Sequence, residues 1–267
     1  MNTLSLGLKR IRYELVGYFR ARDAVVFTFL FPIGMLLLFG SIFRDQLVGP
    51  PGEEISMAAI YFAGMLAAGV WLSGLQTLAI DLATEKHEGG LKRLAATPLT
   101  PTAYFIGKLG LVFITNLIQM ILLVLVGVFV FDIALPTEPE EWLTFAWVWM
   151  LGLACFTALG IALSALPRSA RAASAVIIPI VLIPQFLTGV YLPLMLLPDW
   201  LQQVAQFVPL TWVGRGMRAV FLPDFMEAME LNSAWDLGMG AINIAIWLVI
   251  GLVLSKLTFR WMRERSK

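Results

Sequence analysis

The chain has 267 residues, 59% of them hydrophobic and 14% charged, with a mean hydropathy of +0.83 and a formal net charge of +1. A charged content so far below the roughly 25% of soluble domains makes this a membrane protein, and near-neutrality excludes the broad basic surface that nucleic-acid binding needs. The single cysteine, Cys155, lies in an apolar run, which excludes an intrachain disulfide and a cysteine metal cluster and reads as a small core residue.

Residues 1–22 carry too much charge for a cleavable signal peptide. Leu4, Leu8, Ile11, Leu15 and Tyr18 recur at helical spacing, with Lys9, Arg10, Arg12, Arg20 and Arg22 mostly off that stripe. The spacing predicts an amphipathic elbow helix in the headgroup layer, where anionic lipid attracts each basic residue by about 1 kcal/mol.

Crossing a bilayer takes about 20 mostly apolar residues, and six stretches qualify: 24–43, 56–82, 104–131, 142–166, 172–190 and 235–258. The expected fold is therefore all-α, a single polytopic membrane domain over 1–267. An even number of spans puts both termini on one side. All of the 19 Lys and Arg except Arg44, Arg215 and Arg218 fall on that side, which makes the termini cytoplasmic. The opposite loops are acidic, with Glu53, Glu54, Asp132, Glu138, Glu140 and Glu141, and too short for a folded domain.

Within the second, third, fifth and sixth spans sit uncharged polar residues: Ser73, Gln76 and Thr77, then Asn116 and Gln119, then Gln185 and Thr188, and Asn243. Facing lipid they would be costly, so they face protein or a solute path. Their neutrality among Phe, Met and Leu favours an amphipathic or apolar solute. Interhelical hydrogen bonding, about 0.6 kcal/mol each, is the alternative for any one of them. Asp81 and Lys108 lie near the ends of their spans, within reach of the interface.

Between the second and third spans, 84–101 reads TEKHEGGLKRLAATPLTP, a charged island that cannot lie in hydrocarbon. Gly89 and Gly90 weaken an arriving helix and Thr97-Pro98 stops a following one, so only a short helix fits, over about 91–96. Leu91, Leu94 and Ala95 share one face with Lys92 and Arg93 beside it, an apolar knob suited to a shallow groove on a partner protein. An ordinary basic loop is the alternative. His87, the only histidine, reads as a solvated loop residue.

After the fourth span, prolines recur at 179, 184, 193, 198 and 209. Pro179 and Pro184 remove backbone donors within a span and predict a kinked or interrupted helix. Beyond Gly189, residues 191–221 form an outer region in which Leu201, Val204, Ala205 and Val208 predict an amphipathic helix too short to span, with Trp200 and Trp212 as interfacial anchors. The chain has no G-x-x-x-x-G-K-[ST] phosphate loop, H-E-x-x-H zinc motif or G-x-S-x-G elbow, so energy for uphill transport must come from outside it.

The pattern Glu85-Lys86-x-x-Gly89-x-Leu91-x-x-Leu94-x-x-Thr97-Pro98-Leu99, followed by Tyr104 and Gly107-Lys108, resembles the cytoplasmic signature of ABC-2 type transporter permeases, departing from it at His87 and Gly90. A second set, Pro184-x-Phe186-x-x-Gly189, Pro193, Leu197-Pro198-x-Trp200-Leu201 and Pro209-Leu210-Thr211, resembles the same family's re-entrant outer helices. LKRLAATPLTPTAYFIGKL is more similar to the drug- and lipid-exporting branch than to the polysaccharide exporters. The resemblance implies a non-catalytic, type V-like exporter subunit in the plasma membrane of a prokaryote, serving multidrug or lipid efflux. Its coupling helix, with Glu85, Lys86, Glu88 and Gly89 through Thr97 and Pro98, would dock on a separate ATPase. It implies two ATPase copies carrying ATP and Mg, a second permease in a homodimer or heterodimer, and no cofactor on this chain. Gly189, Pro193, Pro198 and Trp200 would form the outer gate. The alternatives are a polysaccharide- or glycolipid-exporting permease, an ion-coupled secondary transporter, for which midplane ionisable groups are scarce, and a membrane-bound lipid-modifying enzyme, for which no nucleophile and base are paired.

Overall fold

The computed structural model describes residues 3–194 and 197–258. Arg260, Arg263, Arg265 and Lys267, counted above with the basic side, lie outside them. Six helices are long and apolar enough to cross a membrane: Val25–Ile42, Met57–His87, Pro101–Phe131, Pro139–Leu163, Ala170–Leu187 and Leu237–Thr258. The protein is an all-α, multi-pass membrane protein with one addition. Helix α1 (Thr3–Arg20) leads into α2 (Arg22–Ile42), after which β1 (Leu47–Val48) pairs antiparallel with β2 (Ile55–Ser56). Two-residue strands carry no readable periodicity, so the expectation of a purely helical chain missed this hairpin.

The second span is the axis of the bundle. It consists of α3 (Met57–Trp71), a π-helical turn (Leu72–Thr77) and α4 (Leu78–His87), and 94% of its most apolar window is buried inside the protein. Ser56 starts it, its Oγ accepting from the Ala58 N–H at 3.2 Å. Small residues let the neighbours close in. A Cβ added at Gly160 would sit 2.5 Å from the carbonyl oxygen of Gly74 in the π turn. Because backbone meets backbone there, Gly160→Ala should destabilise the protein by about 1–3 kcal/mol through overpacking. Thermal unfolding in detergent checks this; a wild-type melting temperature would show that α7 can slide away from the π turn.

Around this axis stand α5 (Gly90–Ala95), α6 (Pro101–Phe131), α7 (Pro139–Leu163), α8 (Ala170–Leu187), α9 (Asp199–Ala205), α10 (Pro209–Phe221) and α11 (Leu237–Thr258). Local chemistry sets their ends. Thr100 Oγ1 caps α6 through the Ala103 N–H at 3.2 Å, with Pro101 at the first helical position, and Asp132 ends it in the left-handed conformation at φ 54°. Ser169 Oγ caps α8 through the Ala172 N–H at 3.2 Å. Pro179 and Pro184 lie inside α8, which runs on as one helix. Pro184 cannot donate to the turn before it, and the neighbouring Val181 carbonyl accepts the Trp71 indole N–H at 2.9 Å and the Gln185 amide at 3.3 Å.

On α1, Leu4 and Leu8 of the apolar stripe are exposed and Ile11, Leu15 and Tyr18 half-buried, while Gly7 and Glu14 are buried. The helix packs along α6, because glycine opens a groove on each side: a Cβ at Gly7 would overlap Ile106, and Cβ atoms at Gly107 and Gly110 would overlap Arg10 and Ile11. In the outer region α9 ends at Ala205, and Val204 points outward while Ala205 is buried. Trp212, expected as an interfacial anchor, is buried in α10, its indole N–H donating to the Gln206 carbonyl at 2.7 Å. Trp200 is exposed, as an anchor would be.

Candidate functional site

The sequence island 84–101 folds around α5. Gly89 takes φ 76°, a left-handed turn that breaks α4 from α5. At Gly90 a Cβ would lie 2.6 Å from Glu85 Cγ and 3.0 Å from its carbonyl oxygen, so a larger residue would have to displace Glu85. Thr97 Oγ1 donates to the Leu94 carbonyl at 2.7 Å and accepts from the Leu99 N–H at 3.3 Å, which closes the turn into α6. The expected apolar knob is turned around: Leu91 is buried in the chain's own core and Leu94 packs against it. The face left outward carries Lys92, Arg93, Thr97 and Pro98, all exposed, with Glu88 exposed and Lys86 half-buried. His87 bonds the Pro167 carbonyl through Nε2 at 2.9 Å, tying this island to the loop before α8.

Behind α5 lies a buried ion cluster. Lys108 is 2% exposed and donates to Asp81 Oδ2 at 2.6 Å and to Glu14 Oε2 at 2.9 Å, with Glu85 Oε2 at 3.0 Å. Arg10 Nη2 reaches Glu14 Oε1 at 2.6 Å and Glu85 Oε1 at 3.5 Å, and the Tyr104 hydroxyl donates to Glu85 Oε2 at 2.7 Å. Lys108 therefore does not reach the interface, as its place near a span end suggested. The second half of the sequence signature, Tyr104 and Gly107-Lys108, is explained here: Gly107 admits Arg10, and Tyr104 and Lys108 hold Glu85, one turn from Gly89. The cluster joins α1, α4 and α6 directly behind α5. Arg10, Glu14 and Asp81 were missed as site residues; the readable signal was an acid, Glu14, four residues after Arg10 in an otherwise apolar and basic helix.

The polar residues of the spans divide. Ser73, Asn116 and Gln119 are buried and bonded together: Ser73 Oγ donates to Gln119 Oε1 at 2.8 Å, and Asn116 Nδ2 to the Gly69 carbonyl at 3.1 Å and Ser73 Oγ at 3.2 Å. Trp149 Nε1 donates to Asn116 Oδ1 at 2.7 Å, and Gln119 Nε2 to the Thr28 carbonyl at 2.8 Å. This network stitches α2, α3, α6 and α7 across the interior. Gln185 accepts from the Tyr191 hydroxyl at 2.8 Å, and Asn243 Nδ2 donates to the Gln206 carbonyl at 3.3 Å. Thr188 is buried with its Oγ1 unbonded, and Gln76 and Thr77 are half-buried.

At the opposite end α10 carries a second ion cluster. Arg215 and Arg218 are buried, and both donate through Nε to Glu230, Arg215 at 3.1 Å to Oε2 and Arg218 to Oε1. Burial raises the Glu230 carboxyl, but Arg218 and then Arg215 outweigh it and hold the group below its ordinary value. Arg218 Nη1 also reaches the Gly189 carbonyl at 3.4 Å, where Gly189 turns at φ 80°. Gly189 and Pro193 thus meet beside a cavity of about 30 Å³ shared with Arg218 and Glu230. Pro198 starts α9, which holds Trp200.

Comparison with known proteins bears on this arrangement. Residues 48–253 match the model of the family described as ABC-2 family transporter protein. Among similar chains, "Putative transport permease YvfS" of Bacillus subtilis is 24% identical over 259 residues, covering 95% of each chain. "Putative transport permease ycf38" of Cyanophora paradoxa is 26% identical over 243 residues, covering 88% of this chain and 80% of its own length. The ycf38 chain of Porphyra purpurea is 25% identical over 226 residues, covering 83% and 76%. A match over most of the six-span bundle, with the signature residues gathered at one end of it, places the chain in the ABC-2 transporter family, as a transport permease.

Proposed function

We propose that the chain is the permease half of an exporter that moves an amphipathic or apolar solute, a drug-like compound or lipid, across the plasma membrane of a prokaryote by alternating access. A separate ABC ATPase supplies the energy by hydrolysing ATP with Mg. The observation that carries this reading is α5: an exposed Lys92–Arg93 and Thr97–Pro98 surface whose other face is fixed into the core by Leu91 and braced by Glu85. A push on α5 passes to Glu85, and from there through Lys108 and Arg10 to α6 and α1. Two permeases, each with its ATPase, would pair by the two-fold symmetry commonest among closed assemblies, with α2 and α8 lining the seam; α2, α8 and α11, 28%, 22% and 17% buried over their most apolar stretches, all leave faces for lipid or a second permease.

The test is a pull-down of the ATPase subunit with solute-stimulated ATP hydrolysis at matched permease abundance. The exposed Lys92–Arg93 pair would seat on an acidic surface of the ATPase, so Lys92→Glu with Arg93→Glu should turn attraction into repulsion and weaken binding about 10-fold or more, while insertion and melting stay at wild type. Undiminished binding would place the docking surface elsewhere. Leu91→Asp is unsuited to this test, since it buries a charge in the core.

Orientation is tested separately. Cysteine introduced at Glu140 should react with a membrane-impermeant thiol reagent in intact cells, and cysteine at Lys92 only after permeabilisation; the native Cys155 is buried and stays silent. Reversed labelling would invert the topology.

A further inference from the structure

An apolar groove of about 580 Å³ opens on the side of the bundle between α6 and α11, floored by α7. Its walls run along the helices. On α11 Leu248, Leu252 and Lys256 succeed one another at four-residue steps, and on α7 the lining extends from Met150 to Ile161. At 1.5 Å per residue that is about 16 Å, half of the roughly 30 Å hydrocarbon core, so the groove spans one leaflet. The leaflet is the one at the basic end, because the lined stretches are the first third of α6 and the last halves of α7 and α11. The Ser255 hydroxyl donates to the Ala158 carbonyl at 2.7 Å, and with Thr157 as its other uncharged polar residue the wall is mainly apolar up to the exposed Lys256 ammonium at the rim.

A slot of leaflet length, lined mainly by hydrocarbon and ended by a cation at headgroup depth, is complementary to one lipid chemistry. We propose that it seats an acyl chain of an anionic phospholipid from that leaflet, with the Lys256 ammonium against the lipid phosphate. The proposal rests on the membrane placement of the spans and not on the exported solute. In the membrane a groove open to the side is filled by whatever the leaflet supplies; the charge at the rim selects among lipids.

Native mass spectrometry of the detergent-purified chain, equilibrated with phosphatidylglycerol or phosphatidylcholine of equal chain length, tests it. The wild type should retain phosphatidylglycerol about five-fold over phosphatidylcholine. Ala154→Trp and Leu252→Trp, both at exposed lining positions, should fill the slot and bring retention of either lipid to background, with melting temperatures showing that each variant folds. Lys256→Gln should keep a bound chain but lose the preference. Retention undiminished in both tryptophan variants, a preference undiminished in Lys256→Gln, or a transmembrane polypeptide cross-linked at position 154 in place of lipid would each overturn the proposal. Export is not read, so this result and that of the ATPase pull-down fail or hold separately.

Discussion

Lys108→Met should unfold the basic end of the bundle at a cost of about 3–5 kcal/mol, the usual result of removing one partner from a buried ion cluster. The methionine keeps the length of the stem but none of the three ammonium donors that meet Asp81, Glu14 and Glu85. Arg10 then faces both Glu14 and Glu85, with the Tyr104 hydroxyl still on Glu85, while Asp81, 43% exposed at its side chain, turns to water. Removing the orphaned acid as well should restore most of the loss, so Lys108→Met with Glu14→Gln is expected to melt closer to wild type than Lys108→Met alone. Transport should not follow stability: in the double variant Glu85 loses its ion pair to Lys108 on α6 and keeps only Arg10 and the Tyr104 hydroxyl, and ATPase stimulation by solute should stay low. Wild-type melting of Lys108→Met in detergent would show that water already solvates the cluster.

That cluster also marks where sequence reading stopped. The six spans, the break at Gly89 and the turn at Thr97-Pro98 were legible because length, glycine and proline act locally. The charged and polar groups were legible as residues and not as partners. Glu14 and Asp81 are separated by α2, the hairpin, α3 and the π turn, and meet at Lys108 because Gly7, Gly107 and Gly110 let α1 sink against α6. The same limit explains the reversal of α5. Periodicity grouped Leu91 with Leu94 on one face but could not say whether that face met a partner or the chain's own core, and the close contact of Gly90 with Glu85 rolls it inward. Ser73, Asn116 and Gln119 were recognised as groups that must avoid lipid; Ser73 meets the two α6 amides from within the π turn, which has no sequence signature of its own.

Glu230→Gln should release the outer end. Glu230 holds two buried guanidinium groups, and the amide that replaces it can accept from one of them but neutralises neither, so a loss of about 3–5 kcal/mol is expected. Arg218 would then lose its hold beside Gly189, and the corner between α8 and α9 should open together with the small cavity lined by Pro193. The pH dependence has a definite sign. A carboxyl held below its ordinary value of 4.5 contributes stability that is present above that pH and is lost only as pH falls through the lower folded value. The gap in melting temperature between wild type and Glu230→Gln should therefore be constant from neutral pH down to about 4.5 and narrow only below it. A gap that already closes between pH 7 and 5 would mean that Glu230 is not the anion compensating Arg215 and Arg218. Replacing the whole cluster separates structure from function, because Arg215→Met, Arg218→Met and Glu230→Met together leave no buried charge and should recover much of the stability lost in Glu230→Gln. Restored melting with export still absent would assign the cluster to closure of the outer end, and restored export would reduce it to packing.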